Sequence, residues 1–168
     1  FMLLFSEGSA NKEFTNNELK DALFSAFEKL GSKKRVLAIP PDYTRYHSRA
    51  GELTTISYDY FKNTLTDILP ALGTHFPMTE KEITKMFPGI PHDLFRVHNW
   101  RSDLTTLGTV PSEFIKEVSE GKVDYTWPAQ VNKLLVDGGF DLILSIGQVV
   151  PHEVVGMANY NKNILICR

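Results

Sequence analysis

Five side chains at three places in this chain have the types and spacing for acid–base and anion chemistry. His152 stands in Pro151-His152-Glu153, and Lys162 follows it ten residues later, with small or polar residues between. Histidine titrates at about 6.5 when unperturbed, so it can take and return a proton. Lysine can bind an anion, or become a covalent anchor once its charge is suppressed. The plainer reading of this pair is a capping histidine and a solvated lysine. Earlier in the chain, Asp42-Tyr43-Thr44-Arg45 opens a loop. An arginine there can grip a carboxylate or phosphate with two parallel hydrogen bonds. The aspartate can orient that arginine or accept from a ligand hydroxyl, or the two can form a local surface pair worth little. Between these segments lies Gly73-Thr74-His75-Phe76-Pro77-Met78-Thr79. Its glycine permits close backbone approach, and a helix N-terminus beside it favours anions.

The elements that must carry these residues can be read from the pattern. Val36-Leu37-Ala38-Ile39 is a short apolar run stopped by Pro40-Pro41, hence a buried strand that delivers Asp42 and Arg45. Asp67 to Gly73 reads as a second strand, delivering His75. Phe140 to Gly147 is the most apolar run and reads as a buried strand feeding the loop of His152 and Lys162. Leu94 to His98 and Leu104 to Val110 read as further strands, the latter at an edge, and Ile164 to Cys167 as the start of another. Thr15-Asn16-Asn17-Glu18 is a capping box ahead of an amphipathic helix ended by Gly31, and Thr79-Glu80-Lys81-Glu82 is a second, ahead of a helix toward Phe87. Helices are also expected over Thr54 to Thr66, from Ser112 through Val118, and over Ala129 to Val136 with Pro128 in the first turn. Alternating strands and helices predict an α/β fold with a mostly parallel, Rossmann-like sheet and flanking helices. In such a sheet the strand ends share one edge, so two histidines would face one cleft, where ligands bind.

Composition narrows the function classes. The chain has 168 residues, a formal charge of −2 and a single cysteine, Cys167. No basic face for nucleic acid is implied, and no disulfide framework or multi-cysteine zinc site is available. No apolar run approaches the ~20 residues that span a bilayer. Phe1 to Phe5 lacks the basic flank and cleavage site of a signal peptide. A cytoplasmic location without membrane or nucleic-acid partners is the expectation. There is no G-x-G-x-x-G and no Walker loop. A metal site from His92, His98 and His152 lacks H-x-H or H-E-x-x-H spacing, so His92 and His98 are read as structural. His47 is read as a solvated loop residue, and Trp100 and Trp127 as packing residues.

Taken in order, Asp42-x-Thr44-Arg45, the heptapeptide Gly73-Thr74-His75-x-Pro77-Met78-Thr79, and Pro151-His152 with Lys162 resemble motifs of the nickel-dependent lactate racemase family. The resemblance implies that Lys162 is joined through a thioamide to a nickel-pincer nucleotide, the nickel pyridinium-3,5-bisthiocarboxylate mononucleotide. It also implies that Asp42, Tyr43, Thr44 and Arg45 contact that cofactor. His75 and His152 would stand on opposite sides of a small 2-hydroxy acid, one removing the hydroxyl proton while the α-hydrogen leaves as hydride, the other returning it. Cofactor-biosynthesis enzymes would be partners. Oxidation followed by reduction makes chemical sense, because deprotonating the α-carbon would place charge beside an existing carboxylate. The chain departs from the family between the histidine and the lysine, where lactate racemases proper tend toward glycine and serine and this chain has Met157-Ala158-Asn159-Tyr160-Asn161. The family's nickel-ligating histidine lies downstream of the lysine, and no histidine follows Lys162 here, so no metal ligand is assigned. Residues 1–168 therefore read as an N-terminal, cofactor-anchoring α/β domain, one lobe of a two-domain protein and inactive by itself. The alternative is a non-catalytic anion- or nucleotide-binding protein of the same fold.

Overall fold

The computed structural model describes residues 2–153 and 156–165. At its centre is β1, Val36–Ile39, a strand without a polar side chain, buried along its whole length. Parallel pairing with β2 (Leu65–Ile68) on one side and β5 (Leu142–Ser145) on the other gives a three-stranded sheet of order β2-β1-β5. A strand covered on both faces reads as continuously apolar rather than alternating. Val36 and Ala38 point into one core with Phe27, Phe61, Leu65, Ile68, Met86 and Phe87, while Leu37 and Ile39 point into another with Leu69, Leu134, Leu135, Phe140 and Ile164.

Three helices supply the first layer: α1 (Asn16–Leu30), α2 (Ala50–Phe61) and α3 (Glu80–Met86). Both capping boxes form: the Thr15 and Thr79 hydroxyls accept from the backbone N–H of Glu18 and Glu82, whose carboxylates accept in return from the N–H of each threonine. These contacts hold the Glu18 carboxyl well below its usual range, at about 2, through the Thr15 backbone N–H first and Lys12 second. The opposite side carries an antiparallel ribbon, β3 (Leu104–Val110) with β4 (Trp127–Asn132), with α4 (Ser112–Val118) between them, then α5 (Leu134–Asp137). The chain continues through the short hairpin of β6 (Pro151–His152) and β7 (Gly156–Met157) to α6 (Asn161–Leu165). Among the described residues no helix is long and apolar enough to cross a membrane.

Several boundaries differ from the sequence expectations. The helix expected over Ala129 to Val136 is mostly strand: Trp127 to Asn132 pairs with β3, and only Leu134–Asp137 is helical. Trp127, Ala129 and Val131 lie on one face of that strand, and Pro128 is tolerated because the ribbon leaves an outer edge. The Asn132 side chain accepts from Leu134 N–H at 2.9 Å, which marks the true helix start. The helix expected over Thr54 to Thr66 runs instead from Ala50 to Phe61, followed by a 3-10 turn over Lys62–Thr64, so Leu65 and Thr66 belong to β2. The second strand thus starts and ends earlier than Asp67 to Gly73, although Leu69 and Ala71 still donate to Ala38 and Pro40 beyond it. Leu94 to His98 is not a strand. It touches the sheet at one bridge, Phe95 with Ile68, before turning away. Ile164 and Leu165 are helical rather than the start of a strand, and Ile166 and Cys167 lie outside the described residues. The 142–145 strand forms, but not as a fully buried one. Among the described residues only β1 pairs with it, and Ile143 is 37% exposed. Trp127 is also largely exposed, stacked on Tyr125.

The turn away from the sheet at Phe95 is fixed by Asp67, buried on β2. Its carboxylate accepts from Arg96 Nε at 2.6 Å, from Thr66 Oγ1 at 2.7 Å and from Arg35 Nη2 at 3.3 Å. Burial pushes this carboxyl upward, and the three hydrogen bonds overcome it, so the group sits below its ordinary value. A lowered native pKa contributes stability that is present above the unfolded value of about 3.9 and is lost as pH falls through the native value. Asp67→Asn is therefore expected to cost about 1–3 kcal/mol at pH 7, the worth of hydrogen bonds to a charged group. In urea denaturation the gap from the unsubstituted protein should close as pH falls below about 4.

Candidate active site

Three strand ends meet at one edge of the sheet. The central strand connects onward to β2 on one side and lies against β5 on the other, so the crevice between their carboxyl ends is a topological switch point. Neither of the two prolines after β1 can donate a backbone hydrogen bond, so the pairing dwindles to one further bridge, Pro41 with Ala71. Released from pairing, the chain enters a 3-10 helix, Tyr43–Ser48, capped by Asp42, whose side chain accepts from Thr44 N–H at 3.2 Å and from the Thr44 hydroxyl.

The second strand end supplies His75. Its N–H donates to Leu72 O at 2.9 Å, closing a tight turn in which Gly73 takes φ +56°, a backbone that a side chain resists. That turn aims the ring at Asp42, and His75 Nδ1 lies 2.6 Å from Asp42 Oδ2. The aspartate side chain is 8% exposed and the histidine 57%, so a nearly buried carboxylate anchors a ring whose far side meets solvent. In the neutral imidazole, a carboxylate acceptor at Nδ1 places the proton there and leaves Nε2 as the acceptor.

The third strand end supplies His152 and Lys162. After Gly147 the chain makes the β6–β7 hairpin, with His152 in its first strand, and then returns to α6, where Lys162 occupies the first turn. The His152 side chain is 18% exposed, with Nδ1 3.7 Å from Glu153 Oε2. A cavity of about 280 Å³ lies between these segments, and its walls include Asp42, Thr44, Arg45, His75, His152 and Lys162. The size suits a small molecule or part of a nucleotide.

Six of the seven site residues inferred from sequence are thus brought together. Tyr43 is not among them. It packs against the helical core and faces Tyr46 and Lys85, whose ammonium lies 5.6 Å from the Tyr43 ring centre. The Tyr43 hydroxyl beside it holds Lys85 above its ordinary value. The Asp42–Arg45 surface pair is not formed either, since Asp42 serves Thr44 and His75 instead. Sequence reasoning missed the contribution of His47, Ser48 and Asn159, which also line the cavity. His47 is exposed, as a solvated residue would be, but it faces the cleft. Of the remaining histidines, His92 Nε2 lies 3.0 Å from Thr84 Oγ1, and His98 is buried with Nδ1 2.8 Å from the Asn132 amide. Among the described residues no three histidine, cysteine or carboxylate side chains cluster as a metal site.

Residues 10–167 match the family described as the lactate racemase N-terminal domain, and the chain belongs to that family. Among solved structures it resembles a Thermotoga maritima protein with 29% identity and a TM-score of 0.75, over 91% of this chain and 38% of that one. It also shares the fold of the lactate racemase apoprotein from Thermoanaerobacterium thermosaccharolyticum, with 23% identity and a TM-score of 0.57, over 90% of this chain and 32% of that one. The chain thus spans about a third of each structure's length. No curated protein matches it significantly.

The Asp42–His75 contact has a direct spectroscopic consequence. In two-bond nitrogen–proton correlation spectra, neutral His75 is expected as the Nδ1–H tautomer. Asp42→Ala should shift it toward Nε2–H and lower stability by about 1 kcal/mol through the lost helix cap.

Proposed function

We propose that this domain is the N-terminal, cofactor-anchoring lobe of a two-domain racemase or epimerase acting on a small 2-hydroxy acid. The observation that carries this reading is the single cleft that gathers Asp42, Thr44, Arg45, His75, His152 and Lys162 from three strand ends. Membership of the lactate racemase N-terminal domain family supports it.

The donor set fits a nickel-pincer nucleotide. Among the described residues Lys162 is the one lysine on the cavity wall and would be the covalent anchor, while Arg45 and the Thr44 hydroxyl would hold phosphate or ribose oxygens. When bound, the group supplies a reversible acceptor for the α-hydrogen as hydride.

The chain's own residues then handle the proton and the charge. His75, with Nδ1–H given to Asp42, offers Nε2 as a base to the substrate hydroxyl. As that nitrogen gains the proton, Asp42 stabilises the resulting imidazolium from its buried position. His152, from a different strand end, serves the enantiomer, whose hydroxyl is presented differently. Each histidine acts as base in one direction and acid in the other. General acid–base help of this kind is worth roughly 10²–10⁴ in rate.

Produced alongside the cofactor-forming enzymes, the protein should carry a nucleotide-sized mass addition that Lys162→Ala abolishes. An unmodified Lys162, in cells where a known racemase is loaded, would favour a non-catalytic anion- or nucleotide-binding protein. In the loaded whole enzyme, His75→Ala and His152→Ala should each keep the adduct on Lys162 while racemisation falls by about 10² or more.

A further inference from the structure

His152 and Lys162 sit on a segment with little secondary structure of its own: a hairpin of two residues per strand and a helix of five. Something must hold both against the end of β5. The return of the chain is marked by the Ala158 N–H donating to Val150 O at 2.8 Å, and the next residue is Asn159. It is 8% exposed, whereas Met157 two residues before it and Tyr160 after it are exposed. Its backbone has φ +55°, the left-handed region that asparagine tolerates better than most side chains.

Asn159 uses both ends of its amide. Nδ2 donates to Gly147 O at 3.1 Å, just past the end of β5. Oδ1 accepts from Ser145 Oγ on β5 at 3.3 Å, and also from Asn163 Nδ2 on α6. Its main-chain carbonyl accepts the Lys162 N–H at 3.0 Å, which starts the helix. A side chain at position 147 would place its Cβ 3.1–3.2 Å from the Asn159 amide, so glycine there leaves the space this contact needs. One residue therefore fastens strand end, returning loop and helix. Serine is too short, aspartate has no donor for the Gly147 carbonyl when ionised, and leucine has neither group and resists the backbone.

We propose that Asn159 is a positioning residue: it locks the His152 hairpin and the Lys162 helix onto the end of β5, so that both reactive side chains face the Asp42–His75 pair. The mechanical part stands on the geometry alone, and its importance for cofactor attachment rests on the function proposed above. The test is amide hydrogen exchange on the protein without cofactor, followed by adduct yield with the cofactor-forming enzymes. Asn159→Gly keeps the backbone conformation and removes the side chain. Protection at the Lys162 and Ala158 amides should fall about tenfold or more, while the Leu69 amide, bonded to Ala38 in the sheet, keeps its protection. Asn159→Asp, which retains the acceptor for Ser145 and Asn163, should fall between. Ser145→Ala, which also serves if Asn159→Gly does not fold, should loosen the same two amides by a smaller factor, and should add nothing in the Asn159→Gly background. Adduct formation on Lys162 should drop in the same order. Unchanged protection at Lys162, loss spread equally to Leu69, or a normal adduct yield despite local loosening would each overturn the proposal. Local loosening in a protein whose unsubstituted form never gains the adduct would instead remove the proposed cofactor while leaving the positioning role in place.

Discussion

The whole arrangement depends on burying one strand on both faces. Val36 to Ile39 carries no polar side chain, and every one of its residues lies in the interior. At roughly 1.5–3 kcal/mol for each large side chain fully buried, such a strand is a strong organiser of a small fold. Because two separate cores close on it, one helical and one built from the ribbon side, neither layer can shift without disturbing the other. That rigidity is what the site uses. The prolines that end the strand release the chain at a fixed point, and Asp42 emerges there nearly buried, able to hold a histidine delivered by the neighbouring strand.

The site is built from opposite tendencies at its two sides. On the Asp42–His75 side, a helix cap, a glycine turn and a short carboxylate–imidazole contact each restrict the geometry. On the His152–Lys162 side, the regular elements are two to five residues long, and the order comes from side-chain hydrogen bonds instead. Lys162 thus lies on the more easily opened side of the cleft, since locally stabilised segments open at lower free energy than core strands.

Much of this could be read from sequence, and the parts that could not share a cause. The end of β1 was legible because an apolar run stopped by two prolines has few other readings, whereas β2 ends at Ile68, well before the glycine at position 73. Both capping boxes were legible because their hydrogen bonds are local. The helix expected over Ala129 to Val136 is strand as far as Asn132 because its partner strand lies some twenty residues away in the chain, and pairing at a distance overrides local preference. Leu94 to His98 was misread for a related reason: Asp67 recruits Arg96 by charge, which periodicity does not register. Tyr43 sits inside a motif whose neighbours face the cleft, and a 3-10 turn sends its ring to the opposite side. Asn159 was visible only as a residue where glycine or serine was expected, and its role needed the left-handed backbone and the contacts to Ser145 and Gly147 to be seen together.

The outer edge of β5 carries a consequence for the extent of the sheet. In the described residues that edge has no strand against it, Ile143 is partly exposed on it, and Val149, Val150 and Met157 expose further apolar surface in the segment that follows. An open strand edge flanked by apolar side chains is a template for pairing with another chain. That edge is where a further strand would add to the sheet, continuing the order β2-β1-β5.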